Sequence, residues 1–242
     1  MSVTSRYKDA WEGFWQDVPD RAGAVLWDAE PALTAGIHLA LFEPHMTDPA
    51  LPVVDLGCGN GTQTLYLADR FEHVAGVDLA PAAVARARRG DPDGQVAFSV
   101  ADATEPAAVQ RLHGELGDAQ VYLRCVLHQC EPLDRAPLAA AVAVLLGERG
   151  RAFVVEPDES AGRILRELAL GPDGPPPKLR PVLAHGIAPG VMPDGQVPDL
   201  FRAAGLDVLA GGELPLTTTE YRPDGTRIEL PSQWLVVGRP DG

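Results

Sequence analysis

Hydrophobic positions follow two different rhythms along the chain. In the first 48 residues they recur at helical spacing: Tyr7, Trp11, Phe14 and Trp15 make one aromatic face in an otherwise polar stretch. After Pro31, a residue suited to a first helical turn because it lacks an N–H, Leu33, Ile37, Ala40 and Leu41 form a second apolar stripe. From Pro49 onward short apolar runs alternate with Ala-rich helical stretches, as in βα units that build a parallel sheet. Strands are predicted at 52–56, 73–78, 96–100, 120–124 and 151–156, with helices at 63–70, 81–89, 106–116 and 133–146. Residues 171–195 are dense in Pro and Gly and keep no period, so they read as a loop or lid. Beyond them come a helix at 197–204 and two strands, 206–214 and 227–237, around a turn-rich RPDG, an ending that reads as antiparallel.

This pattern predicts a helical cap over 1–48 and one α/β domain over 49–242, which a chain of 242 residues accommodates. No run approaches the roughly 20 apolar residues of a membrane span, and the opening residues lack a basic segment followed by an apolar one. A cytoplasmic protein is expected. Cys58, Cys125 and Cys130 form no CxxC pair, so free thiols and no metal centre are expected. The net charge of −14 opposes binding to a phosphate backbone, and Arg86, Arg88 and Arg89 read as a solvated helix end.

The chemistry concentrates in LPVVDLGCGNGT, where a strand runs through Asp55 into Gly57, Gly59 and Gly61 and then a helix. Glycines there allow unusual backbone angles and close approach of a ligand, and the helix start points N–H groups inward. A dinucleotide fingerprint would need Gly or Ala at position 62, where Thr62 stands. Asp78 ends the next strand at the distance expected of a carboxylate that bonds ribose hydroxyls, and Asp102 follows the third strand. Each of Asp55, Asp78 and Asp102 could alone be a local cap; together they set acids along one edge of the sheet.

DLGCGNG, VAGVDLA and SVADATE, in that order, resemble the class I, Rossmann-like S-adenosylmethionine (SAM)-dependent methyltransferases. The resemblance implies an α/β three-layer fold, with a seven-stranded, mostly parallel sheet, an antiparallel last strand and added N-terminal helices. It implies SAM as cofactor and S-adenosylhomocysteine as product. It assigns Asp55, Gly57, Cys58, Gly59, Asn60, Gly61, Asp78, Leu79, Asp102, Ala103 and Arg124 to the cofactor, with the backbone of Cys58 and Asn60 at its methionine portion, Asp78 at its ribose, and Asp102 and Ala103 at its adenine.

A fourth segment, VYLRCVLHQCEP, resembles the stretch that places a proton-accepting histidine in small-molecule O-methyltransferases of that family. His128 is therefore a candidate base, since imidazole accepts a proton near neutral pH, or else a packing residue. Glu156 at a strand end is a second candidate catalytic group, or else a helix cap. Trp11, Trp15 and Trp27 either roof the acceptor or form core, and His185 in the Pro/Gly-rich segment is placed to face it. The expected partner is a small-molecule acceptor, with neither nucleic acid nor membrane. Competing readings are a SAM-binding protein that transfers nothing or assists another reaction, and a nicotinamide-dependent oxidoreductase.

Overall fold

The computed structural model of the chain describes residues 3–171, 174–187, 192–193, 195–222 and 224–240. After helices α1 (Val3–Asp17) and α2 (Ala35–Phe42), strands and helices alternate: β1 (Val53–Leu56), α3 (Thr62–Ala68), β2 (Val74–Asp78), α4 (Pro81–Gly90), β3 (Ala97–Val100), α5 (Pro106–Leu116), β4 (Gln120–Arg124), α6 (Arg135–Leu146) and β5 (Arg151–Pro157). The chain continues through α7 (Glu159–Ala169), α8 (Leu179–Ala184), α9 (Gln196–Ala203), β6 (Asp207–Glu213), β7 (Leu216–Tyr221), β8 (Arg227–Leu230) and β9 (Ser232–Gly238). Seven strands pair in the order β3-β2-β1-β4-β5-β9-β6, and β9 alone runs antiparallel to its neighbours.

Strands β1, β4 and β5 are buried along nearly their whole length, so they read as continuous apolar runs, as expected of strands covered on both faces. One face packs on α5, α6 and α9; the other packs on α2, α3, α4 and α7. A third cluster joins Phe14 and Trp15 of α1, and Val18 just after it, to Ala83 of α4 and to Leu179 and Val182 of α8. Winding goes outward from β1 to β2 and β3, then resumes on the other side of β1 with β4. The carboxyl ends of β1 and β4 therefore flank the switch point where α/β sheets take their ligands.

The predicted strands and helices of the central region recur within two residues of their expected ends. Elsewhere there are differences. Helix α2 is apolar all round, and it buries Ala35, His38, Leu39 and Phe42 while Leu33 and Ile37 stay exposed. The deciding contact is polar: His38 Nδ1 and the Tyr122 hydroxyl lie 2.6 Å apart beneath the sheet. Segment 171–195 contains α8, with Pro181 tolerated in its first turn; residues 172–173, 188–191 and 194 lie outside the described residues. The expected strand 227–237 breaks at Pro231 into β8, which pairs with the unforeseen β7, and β9, which enters the main sheet. Arg86, Arg88 and Arg89 donate to Val18 O, Phe98 O and Asp20, fastening α4 to β3 and to the segment after α1 instead of lying free in solvent.

Candidate active site

At the carboxyl end of β1 the chain turns through Gly57, Gly59 and Gly61 at φ of 83°, 56° and 78°. A Cβ on Gly61 would stand 2.8 Å from the Phe98 ring and 2.9 Å from Ala87, so both angle and space demand glycine. Gly59 lies just as close beneath Trp15, whose ring would be 2.8 Å from an added Cβ. The Gly59 N–H donates to Asp78 Oδ2 at 2.9 Å and the Ala80 N–H to Asp78 Oδ1 at 2.9 Å. Asp78 thus braces the glycine turn and also fixes Ala80, the residue that precedes α4, and each oxygen keeps acceptor capacity. Burial raises its pKa, with these amides opposing.

Asp55 lies under the turn, where Thr64 Oγ1 donates to it at 2.6 Å; burial pushes its carboxyl up to about 6. The Gly57 and Cys58 amides both donate to Val77 O, and the Cys58 thiol is buried in the core. Asp102 accepts the Thr104 N–H and hydroxyl through Oδ1, while Oδ2 has no hydrogen-bond partner among the described residues. Leu79, Asp102 and Ala103 are half-buried along the same rim.

A residue that sequence reasoning missed ties this rim to the N-terminal segment. Buried Asp28 accepts Asn60 Nδ2 at 2.8 Å and Thr62 Oγ1 at 3.2 Å. Beside it Arg124 Nη1 donates to Trp27 O at 3.0 Å, and Gln63 Nε2 donates to Ala29 O at 3.0 Å. An aspartate 32 positions before the first turn residue that it bonds carries no local signature; only the fold brings it there.

Across the switch point, β4 runs through Cys125, the one non-glycine residue with positive φ (60°) among the described residues, into a short turn at Leu127–Gln129. Burial pushes the Cys125 thiol up to about 12, so it is protonated and no nucleophile. Glu156 is fully buried and holds the turn. Its Oε1 accepts the Val126 and Leu127 N–H groups at 2.8 Å each; its Oε2 accepts the His128 N–H at 3.2 Å and lies 2.7 Å from His128 Nδ1. Gln129 Nε2 stands 2.6 Å from His128 Nε2, while the Tyr7 hydroxyl donates to Gln129 Oε1 at 2.9 Å. That network puts the imidazole hydrogen on Nδ1, toward Glu156, and an acceptor lone pair on Nε2. Glu156 is therefore neither a helix cap nor an open base; Asp158 caps α7.

Beside this turn lies a cavity of about 540 Å³. Trp11, Leu26 and Trp27 wall it on one side, Arg124, Cys125, His128 and Gln129 at the end of β4, α7 and α8 opposite, and the β7–β8 hairpin below. Trp11 meets Trp27 edge to face with centroids 5.6 Å apart. Trp15 is core, 4% exposed, against Gly59. His185 turns to α1, with Nε2 3.0 Å from Asp17, and its neighbours Val182 and Ile187 line the cavity in its place.

A methyltransferase-domain family matches residues 53–150, from β1 to the residue before β5. Among solved structures, a SAM-dependent methyltransferase of Anabaena variabilis is 29% identical with a TM-score of 0.88, over 96% of this chain and 95% of that one. The chain carries a methyltransferase domain of the SAM-dependent, Rossmann-like class. Two further methyltransferases share its fold. One is the 1,6-didemethyltoxoflavin-N1-methyltransferase of Burkholderia thailandensis, solved with its acceptor and S-adenosylhomocysteine (TM-score 0.62, 19% identity, 98% of this chain and 89% of that). The other is the magnesium protoporphyrin IX methyltransferase of Synechocystis, with S-adenosylhomocysteine bound (TM-score 0.62, 18% identity, 96% and 94%). A stretch of 61 residues is 49% identical to the 23S rRNA (uracil(1939)-C(5))-methyltransferase of Methylococcus capsulatus; it makes up 24% of this chain and spans 14% of that protein.

SAM is accordingly the cofactor of this methyltransferase. The rim suits it: an exposed Gly57, spare acceptor capacity on Asp78 and Asp102, and a row of carboxylates that favours a cationic sulfonium.

Proposed function

We propose that this methyltransferase alkylates a small-molecule acceptor held in the 540 Å³ cavity. The observation that carries this reading is the position of the cavity: it opens on His128 and Gln129 at the end of β4, one strand away from the glycine turn. In this reading Asp78 takes the ribose hydroxyls, Asp102 and Ala103 the adenine, and the turn at 57–61 with Arg124 the methionine portion. The bound cofactor supplies a methyl already activated by positive sulfur. The chain's own work is then to align the acceptor, exclude water and take its proton. His128 Nε2 takes the proton, once the acceptor's O–H or N–H displaces Gln129 Nε2 from it. Glu156 holds the ring through Nδ1 and stabilises the imidazolium that forms. Trp11 and Trp27 contact the acceptor body.

The net charge of −14 and a cavity of about 540 Å³ favour a small acceptor over RNA, despite the short match to an rRNA enzyme. Likeness in fold to the toxoflavin-precursor enzyme fits a role in tailoring specialised metabolites. No helix among the described residues is long and apolar enough to cross a membrane.

Transfer of label from methyl-labelled SAM to a panel of hydroxylated and amino acceptors tests the reading. Asp78→Ala should weaken SAM binding at least about tenfold. His128→Ala should leave it unchanged and slow transfer by about 10²-fold. Unchanged turnover in the latter removes His128 as the base, and absence of labelled product across the panel leaves a binding protein.

A further inference from the structure

Helix α7 forms one wall of the cavity, and two features of that wall are unexplained by packing. Gly162 sits in the helix interior, where glycine is less favourable than alanine. A Cβ added there would meet no heavy atom within 4 Å, so nothing in the protein requires its absence. The space it leaves opens on the cavity.

Arg163 and Arg166 follow on the same helix, three residues apart and so on one face, and both line the cavity while remaining exposed. Neither has a hydrogen-bond or ion-pair partner among the described residues, and Glu159, one turn earlier at the same mouth, forms no ion pair with them. In a chain with 34 acidic against 20 basic residues, unpaired guanidinium groups side by side are not the expected arrangement. Arg86, Arg89, Arg149, Arg202, Arg227 and Arg239 have carboxylate partners, while Arg21, Arg70 and Arg111, unpaired among the described residues, lie away from the cavity; of the arginines that line it, Arg124 is anchored on Trp27 O, which leaves Arg163 and Arg166 for a ligand.

Resting on the small-molecule reading above, we propose that the acceptor is a flat, largely apolar molecule bearing a carboxylate. Its body lies along α7 over Gly162, against Trp11 and Trp27, and its carboxylate is held by Arg163 and Arg166. Guanidinium forks match carboxylate geometry, and an apolar body that excludes water strengthens the pairing beyond that of an exposed ion pair.

The test is calorimetry on protein saturated with S-adenosylhomocysteine, using hydroxybenzoates and hydroxynaphthoates, each against its methyl ester. In the wild type the best acids should bind at least about tenfold tighter than their esters, and added salt should narrow the gap. The double variant Arg163→Gln/Arg166→Gln should abolish the preference and leave ester affinity within about twofold. Gly162→Leu should weaken acid and ester alike without changing affinity for S-adenosylhomocysteine, and Gly162→Ala should raise the thermal midpoint while weakening the larger ligands. Equal affinity for acid and ester, a preference that survives in the double variant, or no binding of either overturns the proposal. Methyl transfer separates the two readings. Acids gripped by the arginines but never labelled from methyl-labelled SAM would end the small-molecule transfer reading alone, whereas equal labelling of acids and esters would end the carboxylate proposal alone.

Discussion

The rim at the ends of β1, β2 and β3 is made largely of backbone. Its parts are three left-handed glycines, amides donated to Asp78, and carboxylates within two residues of a strand end. The cavity beside β4 and β5 is made of side chains drawn from α1, the segment after it, α7, α8 and the β7–β8 hairpin. The matched methyltransferase domain, 53–150, takes in the whole rim and stops before Glu156 and the α7 wall. A backbone cradle tolerates little change in the residues that shape it, while a side-chain pocket can be rebuilt one wall at a time for another acceptor.

Glu156 is where the two regions meet, and breaking it should have the largest effect. Its carboxylate accepts three backbone amides and faces the imidazole of His128, all out of water. Glutamine offers one acceptor oxygen and sets an NH₂ against donors, so Glu156→Gln should cost about 3–5 kcal/mol in denaturant unfolding. Methyl transfer should fall with it, because the turn carrying His128 loosens. Next comes the cradle itself. Gly61→Ala combines a positive φ with a Cβ 2.8 Å from Phe98 and should cost about 2–4 kcal/mol. A drop in SAM affinity should accompany it, while binding of acceptor analogues should change less if the two regions are as separable as their construction implies.

The contrast also explains what could be read from the chain. Glycine register, strand-end acids and the alternation of apolar runs are local, so the succession of βα units and the placement of Asp78 and Asp102 at strand ends were legible from spacing, whereas the order of the strands was not. His128 and Glu156 were each legible as candidates, but their pairing was not, since 28 residues separate them and the fold alone sets them 2.7 Å apart. Asp28 and Gln129 left no pattern for the same reason, whereas α7 carries Ala161, Ile164, Leu165 and Leu168 at helical spacing. Trp15 and His185 misled because an aromatic or imidazole side chain gives no sign in sequence of which side of a helix or loop it will take. The strand broken at Pro231 and the helix inside 171–195 went unseen because Pro and Gly density masked short elements held by tertiary contacts with β7 and α1.

A pH titration sharpens the comparison at smaller amplitude. The folded state raises the Asp55 carboxyl from an ordinary 3.8 to about 6, chiefly through burial. Between those values the native protein binds the extra proton, so this group favours folding at low pH and that advantage disappears as pH rises from about 4 to about 6. Asp55→Asn keeps an oxygen for Thr64 and removes the titration. Relative to that variant the wild type should lose on the order of 2–3 kcal/mol across the interval, read as the difference between two denaturation series. A flat difference would mean that water or structural relaxation reaches the carboxylate under the turn.

The smallest effect tests whether the regions communicate. Asp28 belongs to the segment whose Leu26 and Trp27 wall the cavity, yet its carboxylate bonds Asn60 and Thr62 of the glycine turn. Asp28→Ala deletes two hydrogen bonds at a buried site and should cost about 1–2 kcal/mol of stability. A purely structural strut would show that loss and nothing more. If the segment transmits position from one region to the other, SAM binding should weaken several-fold in the variant, and saturating S-adenosylhomocysteine should no longer tighten an acceptor analogue as it does in the wild type. By linkage the two affinities must shift by a common factor, so measuring either in the presence of the other decides between strut and coupler.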